Sequence, residues 1–170
     1  MKYHILAVGV SKHQNDINNL LYADKDAIDF FTLFTTNVPD IGYQKLLVNS
    51  EATFSAVRTA LGKELREAVG KDDAFFFLFS GHGATAEDQQ GTALAHYLLP
   101  FDATDDIPSS SISIDYLKEV FGKISCKVSF VFIDSCFSGS INGKGYTYPN
   151  RKGLKTVKKF TDESLGEGSV

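Results

Sequence analysis

Three stretches of the chain are apolar at nearly every position: YHILAVGV (Tyr3–Val10), DAFFFLFS (Asp73–Ser80) and KVSFVFID (Lys127–Asp134). A strand with one wet face alternates apolar and polar residues. A strand that is apolar throughout is covered on both faces, as in a mostly parallel sheet between helix layers. YQKLLV (Tyr43–Val48) predicts a further strand, and HYLLP (His96–Pro100) a short one closed by proline. Between them, Leu20, Ala23, Ala27, Phe30, Phe31 and Phe34 recur at three- and four-residue spacing, as do Phe54, Val57, Leu61 and Leu65. A third helix starts at Ser113, an N-cap with Asp115 in the first turn, and buries Leu117, Val120 and Phe121. The alternation of strands and helices predicts one α/β layered domain.

Two segments break this pattern. Gly81 to Gly91 reads as a short polar loop. Beyond Cys136 the chain is rich in Gly, Ser, Asn and Lys and has little apolar periodicity. We therefore divide the sequence into a domain over 1–140 and a flexible basic linker or tail over 141–170. No strand candidate follows Asp134, so the sheet edge is expected to be open or covered by something outside this chain.

Composition narrows the class. At 170 residues, 43% hydrophobic and 22% charged, the chain is long enough to bury a sizeable core. No apolar run reaches bilayer length, and the N-terminus enters a strand without a signal-peptide pattern, so the expectation is a cytoplasmic protein with no membrane partner. A net charge of −4 and a pI near 5.5 argue against nucleic acid as a partner. The charge is uneven: 137–170 carries six Lys/Arg against three Asp/Glu, leaving −7 on the rest. An acidic body points toward a cationic ligand. The two cysteines, Cys126 and Cys136, lie in no CxxC pair, and there is no HxxxH, which excludes a disulfide framework and a structural zinc site.

Two of the apolar strands run into reactive residues. The strand ending at Ser80 is followed by Gly-His82-Gly, and the one ending at Asp134 by Ser-Cys136. Ligands of parallel α/β sheets bind outside the carboxyl ends of the strands, so parallel strands would bring His82 and Cys136 to one rim. A thiol with its ordinary pKa of about 8.5 is only partly ionised at neutral pH, and an imidazole beside it can take the proton. The backbone N–H groups of Gly83 and Cys136 are candidates for an oxyanion hole. Taken singly, a cysteine after an apolar strand is an inert buried thiol and a histidine between glycines is a turn residue. Taken as a pair at two strand ends, they favour chemistry. Cys126 has no such context and reads as structural.

FSGHG (Phe79–Gly83) and IDSCFSG (Ile133–Gly139), 54 residues apart from His82 to Cys136, resemble the two catalytic motifs of the caspase-like cysteine peptidases, the clan of caspases, metacaspases and bacterial relatives. LLYADKDA (Leu20–Ala27) looks like a third family block. The resemblance covers Tyr3 to about Gly139. It implies a three-layer caspase-hemoglobinase α/β sandwich, a hydrolase that cleaves protein and peptide substrates, Cys136 as nucleophile and His82 as general base and acid.

It also implies a specificity. Caspases proper hold a substrate aspartate with arginines and with a glutamine two residues before the nucleophile. Here that position is Asp134, as in metacaspases, which cut after Arg or Lys. The second pocket carboxylate maps to Asp26, and Ser80 and Ala23 map to other walls of the S1 pocket. Paired carboxylates suit a guanidinium or ammonium group. Asp26 also reads as a solvated helix position and Asp134 as a strand-end turn former. Metacaspases often need calcium. This chain has Ala95 where one ligand is expected and only Asp115 where a later acidic pair falls, while Asp102, Asp105 and Asp106 read as solvated turn residues. Phe137 replaces the histidine usual after the metacaspase nucleophile. The expectation is therefore no metal and no cofactor.

In the family a linker and a small unit follow the large catalytic unit and complete the sheet. NRKGLKTVKKF offers Arg151, Lys152, Lys155, Lys158 and Lys159 as processing sites for an enzyme that cuts after basic residues, or it is simply a solvated basic tail. A small-unit segment or a second chain is the expected partner. Two other classes stay open: a catalytically idle caspase-like scaffold that recruits partners at an open sheet edge, and a flavodoxin-like small-molecule binder. AVGVSKHQ after the first strand, with neither a P-loop nor GxGxxG, counts against the latter.

Overall fold

The computed structural model describes residues 1–88 and 94–136, and the backbone of a strand at 156–160. The central sheet has the order β2-β1-β3-β7-β8, with β1 Tyr3–Gly9, β2 Ile41–Val48, β3 Ala74–Ser80, β7 Val128–Asp134 and β8 Thr156–Phe160. β2, β1, β3 and β7 are mutually parallel, and β8 pairs antiparallel with β7. A second, antiparallel sheet has the order β4-β5-β6, with β4 Gly83–Glu87, β5 Leu94–Leu98 and β6 Ile112–Ser113.

Helices cover both faces of the central sheet, as the unbroken apolar strands require. On one face α1 (Ala23–Asn37) packs Ala27, Phe30 and Phe31 against Ala7, Leu78 and Phe132. Aromatic rings continue that contact: Phe34 meets Phe76 at 4.6 Å between ring centroids, Phe76 meets Phe130 at 4.7 Å, and Phe30 meets Phe132 at 5.3 Å. On the other face lies the larger core. Leu6, Val8, Phe75, Phe77 and Phe79 meet Val57, Leu61 and Leu65 from the run α2 (Phe54–Thr59), a π-helical stretch (Ala60–Leu65) and α3 (Arg66–Ala68). The same core takes Leu117, Val120 and Phe121 from α5 (Ile114–Gly122). Ser113 caps α5 as predicted, its hydroxyl accepting from the Tyr116 N–H at 3.0 Å. A short α4 (Ile107–Ser110) closes a smaller cluster under the second sheet. The result is an α/β sandwich of three layers. Among the described residues no helix is long and apolar enough to cross a membrane.

The structure corrects three expectations. The first helix begins at Ala23, not Leu20, and the Leu20 N–H donates instead to the Ser11 carbonyl at 2.8 Å. Gly81 to Gly91 is not simply a loop, because Gly83–Glu87 forms β4 against β5; the segment GATAE is too short and too small-sided to advertise a strand. The edge of β7 is also not left open, since β8 covers it. TVKKF shows little apolar alternation, and an edge strand has little need of it. Apart from β8, the region 141–170 lies outside the described residues.

Candidate active site

Gly9, Ser80 and Asp134 close three neighbouring parallel strands side by side: Gly9 pairs with Ser80, and Ser80 with Asp134. Main-chain bonds carry the alignment past the strand ends, from Val10 N–H to the Ser80 carbonyl (2.9 Å) and from Gly81 N–H to the Asp134 carbonyl (3.1 Å). His82 and Cys136 each follow their strand's last residue by two, so both leave the same rim from adjacent strands. The Cys136 thiol is exposed. Cys126 packs against the larger core.

The His82 ring is half-buried and oriented. Its Nε2 lies 2.6 Å from the main-chain oxygen of Asn18. A carbonyl only accepts, so Nε2 carries the hydrogen, and in the neutral ring Nδ1 keeps the lone pair. The main chain is held as well, with the Leu99 N–H donating to the His82 carbonyl at 3.0 Å. That bond marks Gly83–Leu98 as a non-hydrogen-bonded pair of the β4–β5 ladder, so the Gly83 N–H faces away from β5.

The N-terminus of α1 rests on this rim. A methyl group on Gly9 would lie 2.5 Å from the Ala23 carbonyl oxygen, so only glycine permits the approach. Asp24 fastens the helix. It accepts from the Ser11 hydroxyl (2.7 Å) and the Asn49 side-chain amide (2.8 Å), and these two bonds, Ser11 first, hold its carboxyl below the usual range. Asn49 accepts in turn from the Ser11 and Lys12 N–H groups, both at 3.0 Å.

Ala23 and Ser80 are buried, and Asp26 and Asp134 are exposed. Asp134 shares the α1-facing side of β7 with Phe130 and Phe132. Asp26 precedes Phe30, the partner of Phe132, by one helical turn. The two carboxylates therefore stand at the same end of the α1–β7 contact. Of the predicted processing positions, Arg151, Lys152 and Lys155 lie outside the described residues, as does Phe137. Lys158 and Lys159 belong to the backbone of β8.

Two partners of His82 escaped the sequence analysis. Asn18 acts through its carbonyl, which every residue has. His13 packs its ring against His82, 5.5 Å between centroids, and its Nδ1 lies 3.1 Å from the Pro100 carbonyl. A histidine just past the end of β1 was the only signal available.

Two of the acidic residues are already engaged. The Asp102 carboxylate accepts from the Phe54 N–H at 2.6 Å, and exposed Asp115 pairs with Lys118 at 2.9 Å. Asp88, Ala95 and Asp115 line a cavity of about 320 Å³ beside β5, and Arg58 lines it too. The Arg58 guanidinium stacks 4.3 Å from the Tyr116 ring centroid. Ala95 has no side-chain donor, and no trio of His, Cys, Asp or Glu gathers among the described residues to hold a metal ion.

Residues 2–165 match the family model described as the caspase domain. A curated relative, a probable protease of a Desulfuromonadales bacterium, is 29% identical over 85 residues, which is 50% of this chain and 10% of that protein. A crystal structure of a Geobacter sulfurreducens protein superimposes with a TM-score of 0.68 at 24% identity, covering 83% of this chain and 53% of the other, and so shares the fold. The chain thus spans about a tenth of the curated relative and about half of the crystallised one.

Proposed function

Because the chain belongs to the caspase-domain family, we propose that it is a cysteine endopeptidase that hydrolyses peptide bonds after Arg or Lys through Cys136 and His82. One observation carries the proposal. His82 and Cys136 leave the ends of adjacent, in-register parallel strands, and the histidine is already in the tautomer a base requires. Nδ1 of His82 takes the Sγ proton, and the thiolate attacks the scissile carbonyl carbon. The Gly83 and Cys136 N–H groups receive the oxyanion. Each such donor is worth about 3–4 kcal/mol of barrier. The imidazolium returns its proton to the leaving amine, which departs and leaves a thioester. Water, deprotonated by His82, attacks the thioester, and the carboxylate product and the thiol are released. The Asn18 carbonyl stabilises the imidazolium by accepting from Nε2–H.

Asp134 and Asp26 supply the charge for a substrate guanidinium or ammonium, with Ser80 and Ala23 as pocket walls. The support is their shared end of the α1–β7 contact. An aspartate substrate would face two carboxylates of its own sign. Activity needs no calcium, since a divalent ion in the cavity beside β5 would face the Arg58 guanidinium. A reducing compartment such as the cytosol keeps the nucleophile a thiol. A small-unit segment or second chain completes the active enzyme.

Self-processing after Arg151, Lys152 or Lys155 fits the same specificity. Lys158 and Lys159 lie in a paired strand, and a peptidase needs its substrate unpaired. Fluorogenic peptides that differ only in the residue before the scissile bond test the specificity. Cleavage after Arg and Lys is expected, and a preference for Asp would overturn it. Mass spectrometry of the wild type against Cys136→Ala tests the processing: new termini after basic residues are expected in the wild type alone, and identical termini would exclude it.

A further inference from the structure

His82 is gripped from two directions by one short segment. The Leu99 N–H holds its carbonyl, and the next carbonyl, that of Pro100, holds the His13 ring that packs on its imidazole. The chain between β1 and α1 is tied to the same place again. The Gln14 N–H donates to Phe101 at 2.8 Å, and the Asn15 side-chain amide donates to Ala103 at 2.6 Å. Asn18, which accepts from His82 Nε2, lies three residues further on.

We propose that His13 is a positioning residue for His82: its neutral ring, pinned to the Pro100 carbonyl, fixes the plane of the base and keeps Nδ1 turned to Cys136. A single hydrogen bond at Nε2 leaves the imidazole free to swing about that bond, and a ring packed at 5.5 Å removes the freedom. The neighbour must also be uncharged, because two imidazolium rings at this distance would repel when His82 takes the thiol proton. His13 meets the requirement. Its Nδ1–H is given to Pro100, so its buried, unpartnered Nε2 is an acceptor and not a donor. Burial first, and the charge of His82 second, push its pKa down to about 4, against the Pro100 bond.

The inference rests on His82 being the base, and the test separates the two. Phenylalanine keeps a neutral ring without the Nδ1 donor, asparagine keeps a donor near Nδ1 without the ring, and alanine keeps neither. With an Arg peptide, His13→Ala and His13→Asn are expected to lower kcat at least tenfold with KM within about twofold. His13→Phe should recover most of the loss. A wild-type kcat in His13→Ala, a change confined to KM, or no recovery in His13→Phe would overturn the proposal. Nitrogen-15 NMR of the His82 ring decides the matter even without turnover. The wild type and His13→Phe should show a single Nε2–H tautomer and His13→Ala a mixture. An unchanged His82 tautomer in His13→Ala would overturn the positioning role. An inactive wild type with that tautomer intact would count against the peptidase and not against His13.

Discussion

Replacing Gly9 with alanine tests whether the approach of α1 to the strand ends builds the substrate pocket. The added methyl would lie 2.5 Å from the Ala23 carbonyl oxygen, 2.6 Å from Ala27 Cβ and 2.9 Å from Asp24 Cα. Comfortable contacts of carbon lie near 3.5–4.0 Å, so α1 must lift by about 1 Å. Overpacking of this kind costs about 1–3 kcal/mol, offset by about 0.4–1 kcal/mol from the stiffer unfolded chain. The net loss is about 1–2 kcal/mol, a fall in Tm of roughly 2–8 °C for a chain of this size. The lift also moves Asp26 away from Asp134. A displacement of about 1 Å can lower a rate about 100-fold, so kcat/KM for an Arg peptide should fall about 10- to 100-fold. Melting followed by circular dichroism and a fluorogenic assay read the two effects. A variant that melts within a degree of wild type and cleaves at its rate would refute the reasoning.

Asp134→Asn removes one of the two pocket charges and should lower kcat/KM for Arg and Lys peptides about 10- to 100-fold while iodoacetamide alkylates Cys136 as before; equal cleavage by the variant would exclude the pocket role. His82→Ala removes the group that takes the Cys136 proton, so alkylation of Cys136 at pH 6.5 should slow at least tenfold, and an unchanged rate would exclude His82 as the base. Asp24 is held low by Ser11 and Asn49, so its contribution to stability is complete above roughly pH 5 and is lost as pH falls below about 4 through its folded value. Asp24→Asn should therefore melt lower than wild type at pH 7 and approach it near pH 3, whereas a gap constant across that range would contradict the account. Excess chelator should leave peptide hydrolysis unchanged, and restoration of a lost activity by calcium would refute calcium independence.

Whatever is decided by burial on both faces was legible in the sequence. β1, β3 and β7 stood out because both of their sides are covered, and α5 because a serine cap precedes a one-sided apolar stripe. β4 and β8 were missed because a short hairpin strand and an edge strand need no such stripe. The start of α1 was misjudged because it depends on how closely Ala23 can approach Gly9, a contact between residues far apart in sequence. The two strand-end motifs pointed to His82 and Cys136 directly. The groups around His82 could not be seen, because Asn18 contributes a backbone oxygen and His13 contributes only by folding back against it.

Alkylation by a peptidyl-Arg chloromethylketone, mapped by mass spectrometry, tests the central claim most directly. The account predicts one adduct, on Cys136, that forms with the Arg reagent, fails with the matching Asp reagent and disappears in His82→Ala. An unmodified Cys136, equal labelling of Cys126, or faster labelling by the Asp reagent would contradict it.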